Sequence, residues 1–498
     1  MPQSNPTIEK KAGLPYWMDR VLEEHSKVGS ALHSDAVHDF RISLRRCILI
    51  AEIMEDLDPS CDWKAMRKMG RQTFQRVGAL RDTQVLMKWI DKLGEKGEVS
   101  TEAFLGVLKK QQEVDKNDAR VAIREFDRKK WRAFRRDCAK HHRHVVANRP
   151  ACESILLEVW ERARDLNRSA QRSRSLIAYH RLRVGLKKFR YAAENFLPSM
   201  YAGWAPDLKI VQDTLGDIHE LTVLDRMLSA NRGLVDEAAF SAWREKLEKE
   251  RDLRLEEYRA KMSAKSSLLR TWREGLPAQK DLRSIGLARL GEWAFFATPD
   301  FSRVRRMARL SLQIYDGLAN CGLTGKDPEI EERFILQAAA LLQETGKFRG
   351  GKAYHKESYR MIRKISPPPG WSKTDLEHVA LVSRFHRRAL PYPDHAKLRV
   401  YELPLRQSLI RLAAILRMAN AFHAKRFKAI RRLHVENGPG FLVIRADGFH
   451  EQDANDPKIS SARRFLEFVF QGPVHILAPG TRIMMPKIVR TSARSDAA

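Results

Sequence analysis

Apolar residues recur at intervals of three and four through most of the chain. Phe40, Leu44, Cys47, Ile48 and Ala51 form one such stripe, the spacing that places side chains on one face of a helix. The pattern predicts nearly continuous helix from residue 16 to about 275. Pro59, Pro150, Pro198 and Pro206 are expected between helical stretches, because proline lacks the donor a helix interior needs. Helices joined in this way predict a bundle. A break is expected around Gly275 to Ser284, and a second helical region from about 285 to 432. Gly350-Gly351 and Ser366-Pro367-Pro368-Pro369-Gly370 interrupt that region. The period then changes. Leu433 to Glu436 and Phe441 to Arg445 flank Asn437-Gly438-Pro439-Gly440 and predict a β-hairpin. Arg463 to Phe470 predicts a last helix, Val474 to Leu477 a short strand, and the residues after about Lys487 a disordered tail. The expected fold class is mostly α.

Two segments of the first helical region repeat. His38-Asp39-Phe40-Arg41-Ile42-Ser43-Leu44-Arg45-Arg46 returns as His180-Arg181-Leu182-Arg183-Val184-Gly185-Leu186-Lys187-Lys188. Val77-Gly78-Ala79-Leu80-Arg81-Asp82 returns as Leu215-Gly216-Asp217-Ile218-His219-Glu220. Order and spacing persist, so two related helical halves should pack as a pseudo-twofold pair. In the first motif His38, Arg41 and Arg45 share one helix face, and His180, Arg183 and Lys187 repeat it. Arg46, Lys188 and Arg190 widen the stripe. Like charges on one face repel, which a bound polyanion would relieve.

Charge sharpens this picture. The 498 residues carry 91 Lys and Arg against 62 Asp and Glu, a formal net charge of +29. From Leu166 to Arg190 there are eight basic residues and no acid. Such a field attracts nucleic acid, anionic membrane or polyphosphate. A length of 498 residues is enough for about two to four domains, and hydrophobic residues, at 43%, can build their cores. No apolar run reaches the length of about 18 residues that a membrane-spanning helix needs, and no membrane partner is expected. The first eleven residues lack the apolar stretch of a secretory signal. Cys47, Cys61, Cys138, Cys152 and Cys321 are scattered without a C-x-x-C pair, which excludes a disulfide framework and a thiolate zinc site. These features point to a cytoplasmic protein. His141, His142 and His144 are read as the basic end of a helix rather than a metal cluster, and no cofactor or metal is expected.

The doubled pattern H-x-x-R-x-x-[LR]-[RK]-[RK], followed about 40 residues later by L-G-x-[IL]-x-[DE], resembles the CHAD domain, a histidine-containing α-helical module. The resemblance spans roughly residues 14 to 275, with halves of about 14–145 and 150–275. It implies two four-helix bundles with basic residues lining a central cavity, binding of inorganic polyphosphate, and residence on polyphosphate granules. Carried over by position, the ligand residues are His38, Arg41, Arg45, Arg46, His180, Arg183, Lys187, Lys188 and Arg190. Val77 departs from the leucine of the pattern, and Gly185 sits mid-helix.

Residues 285–480, after a linker at 276–284, carry a second ordered set of blocks. They include Val304 to Leu318, Ala338 to Lys347, Tyr354-His355-Lys356-Glu357-Ser358, Val382 to Pro391 and Leu412 to Ala421. This set resembles the C-terminal HD-like domain of exopolyphosphatase and guanosine pentaphosphate phosphohydrolase. The resemblance implies an α-helical domain closing in a small α+β piece, a polyphosphate channel and a homodimer interface. Tails at 1–13 and 481–498 flank the two domains. An active HD phosphohydrolase needs an H…HD…D set to hold its metal. The matching positions read Arg303, Gln343, Glu344 and Asn420. A guanidinium cannot ligate a metal and amides ligate weakly. Gly325-Lys326 and Gly346-Lys347 lack the rest of a P-loop. From Arg384 to Arg432 there are 13 basic residues and two acids. His355, Lys356, Arg384, His386, Arg387 and Arg388 form a second candidate anion surface, while His355, His378, His386, His395 and His423 could build another site. The expected function is non-catalytic polyphosphate binding. The alternatives are a metal-dependent polyphosphate or nucleotide phosphohydrolase, and a nucleic-acid-binding protein.

Overall fold

The computed structural model describes residues 13–30, 32–262, 267–325, 331–422 and 430–481. The two expected tails, Lys326 and His423 fall outside them, Gly13 and Thr481 excepted. The chain divides into two compact units. One holds residues up to Ala297 together with the loop Pro367–Ser372; the other holds Thr298–Ser366 and the chain from Lys373.

The first unit is built from helices that repeat in order. Helices α1 (Leu14–Ser30), α2 (Ser34–Leu57), α3 (Trp63–Leu93) and α4 (Val99–Arg124) pack in sequence, each on the next. After α5 (Arg128–His142), the series α6 (Pro150–Ser173), α7 (Leu176–Phe196), α8 (Pro198–Ala230) and α9 (Glu237–Met262) does the same. The halves meet where α2 packs on α7 and α3 on α8. One core runs through both, from Phe40, Leu44 and Cys47 to Leu182, Leu186 and Phe189. A second cluster joins Trp89 and Ile90 of α3 and Phe104 of α4 to Leu221, Leu224 and Trp243 of α8 and α9. Gly185 is explained by contact: a Cβ there would stand 2.5 Å from Leu166 Cδ1, so its absence lets α6 and α7 approach.

Pro150 and Pro198 open their helices at the position where no donor is lost. Pro206 differs from expectation and lies inside α8. An interior proline costs about 3 kcal/mol or more. The helix continues because Leu208, Val211 and Leu215 beyond it are fully buried in the common core. Two short helices follow, α10 (Leu268–Glu274) and α11 (Leu282–Ala297). Helix α11 packs along α6 and groups with the first unit, so the change of unit comes at Ala297 rather than in the expected linker at 276–284. Its Ile285, Leu290 and Ala294 are buried. The local glycine and proline signal marks a turn there, not the end of the packed body.

The second unit begins with α12 (Phe301–Asn320), α13 (Glu332–Leu342), α14 (Tyr354–Ile362), α15 (Lys373–Arg384) and α16 (Leu403–Ala421). The sheet follows: β1 (Leu433–Gly438) pairs antiparallel with β2 (Phe441–Ala446), and β3 (Val474–Leu477) adds in parallel to β2. Pro439 and Gly440 make the turn, with Gly440 at φ +79°, the pairing of residues that a type II turn requires. The last helix, α17 (Pro457–Phe470), starts six residues before its expected first residue, because Asp456 accepts from Lys458 N and Ile459 N and Pro457 sits at the first turn. Among the described residues no helix is long and apolar enough to cross a membrane.

Candidate anion-binding site

The repeated motifs place their basic residues on the helices where the two halves meet. Arg41 is the deepest. It is buried, donates to the Gly78 carbonyl and lies 3.3 Å from Asp82. Gly78 allows this approach, since a Cβ would already stand 3.4 Å from the guanidinium. Arg41 and Arg45 both cover the Phe74 ring, at 4.8 and 5.0 Å from its centroid. Arg183 and Lys187 face Arg45 from α7, and Lys187 faces Arg41 as well. His38 and His180 occupy corresponding positions, more exposed than these arginines.

Counter-charge is scarce in this cluster. Among the described residues no carboxylate forms an ion pair with Arg45, Arg183 or Lys187, all half-buried, and the Arg183 Nε has no partner. Glu220 of α8, an acid that acts on both Arg183 and Lys187, instead accepts from Trp89 Nε1 at 3.0 Å. The electrostatic consequence is large. Burial, then Arg45 and Arg183, push the Lys187 ammonium down to about 6. Burial, then Arg183, His180 and Lys187, push His219 down to about 4. His38 is lowered by burial, with Arg81, Arg45 and Arg41 adding to it. His180 is lowered by burial, Arg183 and Lys187.

The unfolded chain therefore binds more protons than the folded one between pH 6 and Lys187's ordinary value of 10.5. Lys187→Met is expected to raise the thermal midpoint, by roughly 2–4 °C per kcal/mol recovered. The gain should be largest near pH 6 and fade towards 10.5, which thermal scans at pH 6.5 and 9 would compare.

Three residues of the expected stripe are placed elsewhere. Arg46 pairs with Glu194 at 2.9 Å and lies 3.7 Å from the Trp17 ring centroid. Lys188 pairs with Glu52 at 2.8 Å. Arg190 donates to Tyr201 Oη and Gln212 Oε1. Carboxylates hold Arg46 and Lys188 and polar side chains hold Arg190, so of the expected stripe Arg45, Arg183 and Lys187 stand without an ion pair among the described residues, with Arg41 beneath. Sequence reasoning missed Arg81 and His219, although both occupy the same position of the second repeated motif. Arg81 acts on His38, and His219 lies with its Nδ1 3.1 Å from that of His180. Asp82 and Glu220 are likewise equivalent in the repeat.

In the second unit Arg303, Gln343, Glu344 and Asn420 do come together, but not as a ligand set. The buried Glu344 carboxylate pairs with Arg303 at 3.0 Å and with Lys347 at 2.7 Å. Asn420 Nδ2 donates to Gln343 Oε1 at 2.7 Å. Two cations already neutralise the one carboxylate of the set, and the amide donors are taken up by Gln343 Oε1 and the Ala340 and Leu416 carbonyls. These residues do not fit a divalent metal of the HD type.

Nearby, Lys352, His355, Lys356, Arg384, Arg387 and Arg388 line a recess of about 360 Å³. Among the described residues no carboxylate pairs with any of the five cations. Arg388 holds a left-handed φ of 66°, a conformation non-glycine residues seldom adopt. Arg417 pins this turn through the carbonyls of Phe385, Arg388 and Ala389. Burial, then Arg387 and Arg384, push His355 down to about 4. His386 is not on the surface expected of it. It is buried, its Nδ1 donates to the Ser383 carbonyl at 2.6 Å, and its Nε2 faces Tyr354 Oη. His378 is buried against Tyr401, and the half-buried His395 packs on Phe385. In the first unit His141 pairs with Asp58 at 2.9 Å, His142 is buried, and His144 packs on Phe295.

Comparison with known proteins adds the families. Residues 18–229 match the CHAD domain, and residues 296–440 match the Ppx/GppA phosphatase, domain III. No curated protein matches the chain. Among solved structures, the crystal structure of the CHAD domain from the plant Ricinus communis aligns at TM-score 0.36 and 17% identity, covering 53% of this chain and 91% of that one. The chain thus carries a CHAD domain over residues 18–229, followed at 296–440 by a domain III of the Ppx/GppA phosphatase type.

Proposed function

We propose that the chain binds inorganic polyphosphate without hydrolysing it, through the basic cluster of the CHAD domain. Both matched domains point to polyphosphate-related function. The observation that carries the reading is the convergence of Arg45, Arg183 and Lys187, half-buried and without ion pairs among the described residues. Such a set is unfavourable when empty and is relieved by an anion. Polyphosphate presents only anionic oxygens, about one charge per unit, which guanidinium groups grip in pairs and an ammonium as a point charge. A single-stranded nucleic acid would call for open aromatic faces. Here Phe40, Phe189 and Tyr191 are buried in the core, and Phe74 is covered by Arg41 and Arg45. The recess around His355 and Arg384 serves as a second anion surface on the other unit. Phosphate release is not expected, because Glu344 is committed to Arg303 and Lys347 rather than to a metal.

Salt tests the electrostatic basis. If Arg41, Arg45, Arg183 and Lys187 each neutralise one phosphate, the logarithm of the affinity should fall with the logarithm of salt concentration at a slope of about −2.8, taking about −0.7 per contact on a single strand. Gel retardation of long-chain polyphosphate over a salt series would measure it. A nearly flat response would contradict the proposal.

A further inference from the structure

His180 and His219 turn their Nδ1 atoms towards each other across 3.1 Å, with ring centroids 4.5 Å apart. At most one proton fits between those two nitrogens. Three basic residues, Arg183 and Lys187 on α7 and Arg226 on α8, face the pair. Lys187 in turn faces Arg41 and Arg45 on α2, Arg183 on its own helix and the acid Glu220 on α8. His38 faces Arg81 of α3 as well as Arg41, Arg45 and Asp39 of α2. From α9, Arg254 pairs with Asp217 at 3.1 Å. The empty cluster thus lowers its own repulsion by leaving some of its bases unprotonated.

We propose, on the reading that this cluster holds polyphosphate, that it takes up protons together with its ligand. Lys187 and the His180–His219 pair stand uncharged in the empty protein and become charged beneath the bound phosphates. The depressed proton affinities of Lys187, at about 6, and of His219, at about 4, agree with this geometry. Bound phosphates add negative charge beside each base, which favours its protonated form. The sign follows by linkage. The complex holds more protons than the empty protein, so affinity rises as pH falls. Each proton taken up makes the affinity fall by about tenfold per pH unit of increase. Lys187 acts above about pH 6, where it is mostly neutral in the empty protein. The histidine pair acts below that. The ligand does not reverse the trend, because only the chain ends of a long polyphosphate titrate near pH 6.

The test is calorimetric titration of the full chain with long-chain sodium polyphosphate at pH 7, in phosphate-free buffers of different ionisation enthalpy. The apparent enthalpy is expected to vary linearly with the buffer's ionisation enthalpy, with a slope of about one proton taken up per site. Lys187→Met should bind more weakly and lose most of that slope. His180→Asn/His219→Asn should instead flatten the pH dependence between pH 5 and 6, and serves as a second probe of the same claim. Binding by the wild type with no buffer dependence, and equal affinity at pH 6 and 8, would overturn the inference alone. No binding at any pH would overturn the polyphosphate reading and the inference with it.

Discussion

Replacing Arg45 and Arg183 together by methionine is expected to weaken binding of long-chain polyphosphate by at least about 100-fold at moderate ionic strength. A hydrogen bond to a charged group contributes about 1.5–3 kcal/mol when well formed, and about 1.4 kcal/mol is a factor of ten. The two arginines approach one another from α2 and α7. They act on one ligand, so their losses need not add. Folding should survive, because neither guanidinium holds a carboxylate, and methionine keeps much of the apolar stem that covers Phe74. Removing Arg46 is the useful contrast. Its partner Glu194 is mostly buried, so Arg46→Met should lower stability with less effect on affinity. Affinity by fluorescence anisotropy and the thermal midpoint separate the two. If the double variant folds and binds within twofold of wild type, Arg45 and Arg183 are not ligand groups.

The second large effect concerns the place where a metal would sit in an active HD domain. Glu344→Gln is expected to destabilise the second unit by about 2–4 kcal/mol, since removing one member of a buried ionic cluster strands its partners. Here Arg303 and Lys347 would both lose the carboxylate between them. They keep partial exposure, at 22% and 29% of the side chain, which places the expected loss towards the lower end of what buried pairs give. Adding Arg303→Met should restore part of the loss, and a double-mutant cycle in denaturant measures the coupling. An unchanged unfolding midpoint for Glu344→Gln would mean that this cluster holds nothing together. Phosphate release that requires Mn²⁺ or Mg²⁺ and disappears in His355→Ala would show a working metal site in its stead.

Much of this arrangement is legible along the chain. The repeat of His38, Arg41 and Arg45 in His180, Arg183 and Lys187 indicates a pseudo-twofold pair of helices, because identical periodicity on two related halves buries the same face. That Arg81 and His219 belong to the cluster is equally present in the repeat, at one position of the second motif. The pairing of Arg46 and Lys188 with carboxylates is not legible. Their carboxylates, Glu194 and Glu52, lie 148 and 136 residues away in sequence and on the opposite half, so only the packed bundle joins them. Pro206 obeys a local rule in the sequence and breaks it in the fold, because the buried residues beyond it hold α8 together. The same holds for α11, whose membership of the first unit depends on its contact with α6 and not on the glycine and proline before it. For His386 the surrounding arginines suggest a surface, yet its ring bonds to Ser383 and faces Tyr354 in the interior.

The central claim is that the CHAD cluster selects a chain of bare phosphates. It is tested most directly by competition: the full chain bound to labelled long-chain polyphosphate, challenged with single-stranded DNA at matched phosphate concentration. The account predicts that DNA displaces the label only at an excess of about tenfold or more, a preference of about 1.4 kcal/mol, since the aromatic faces that would stack bases are buried or covered. Displacement by DNA at equal or lower phosphate would contradict it.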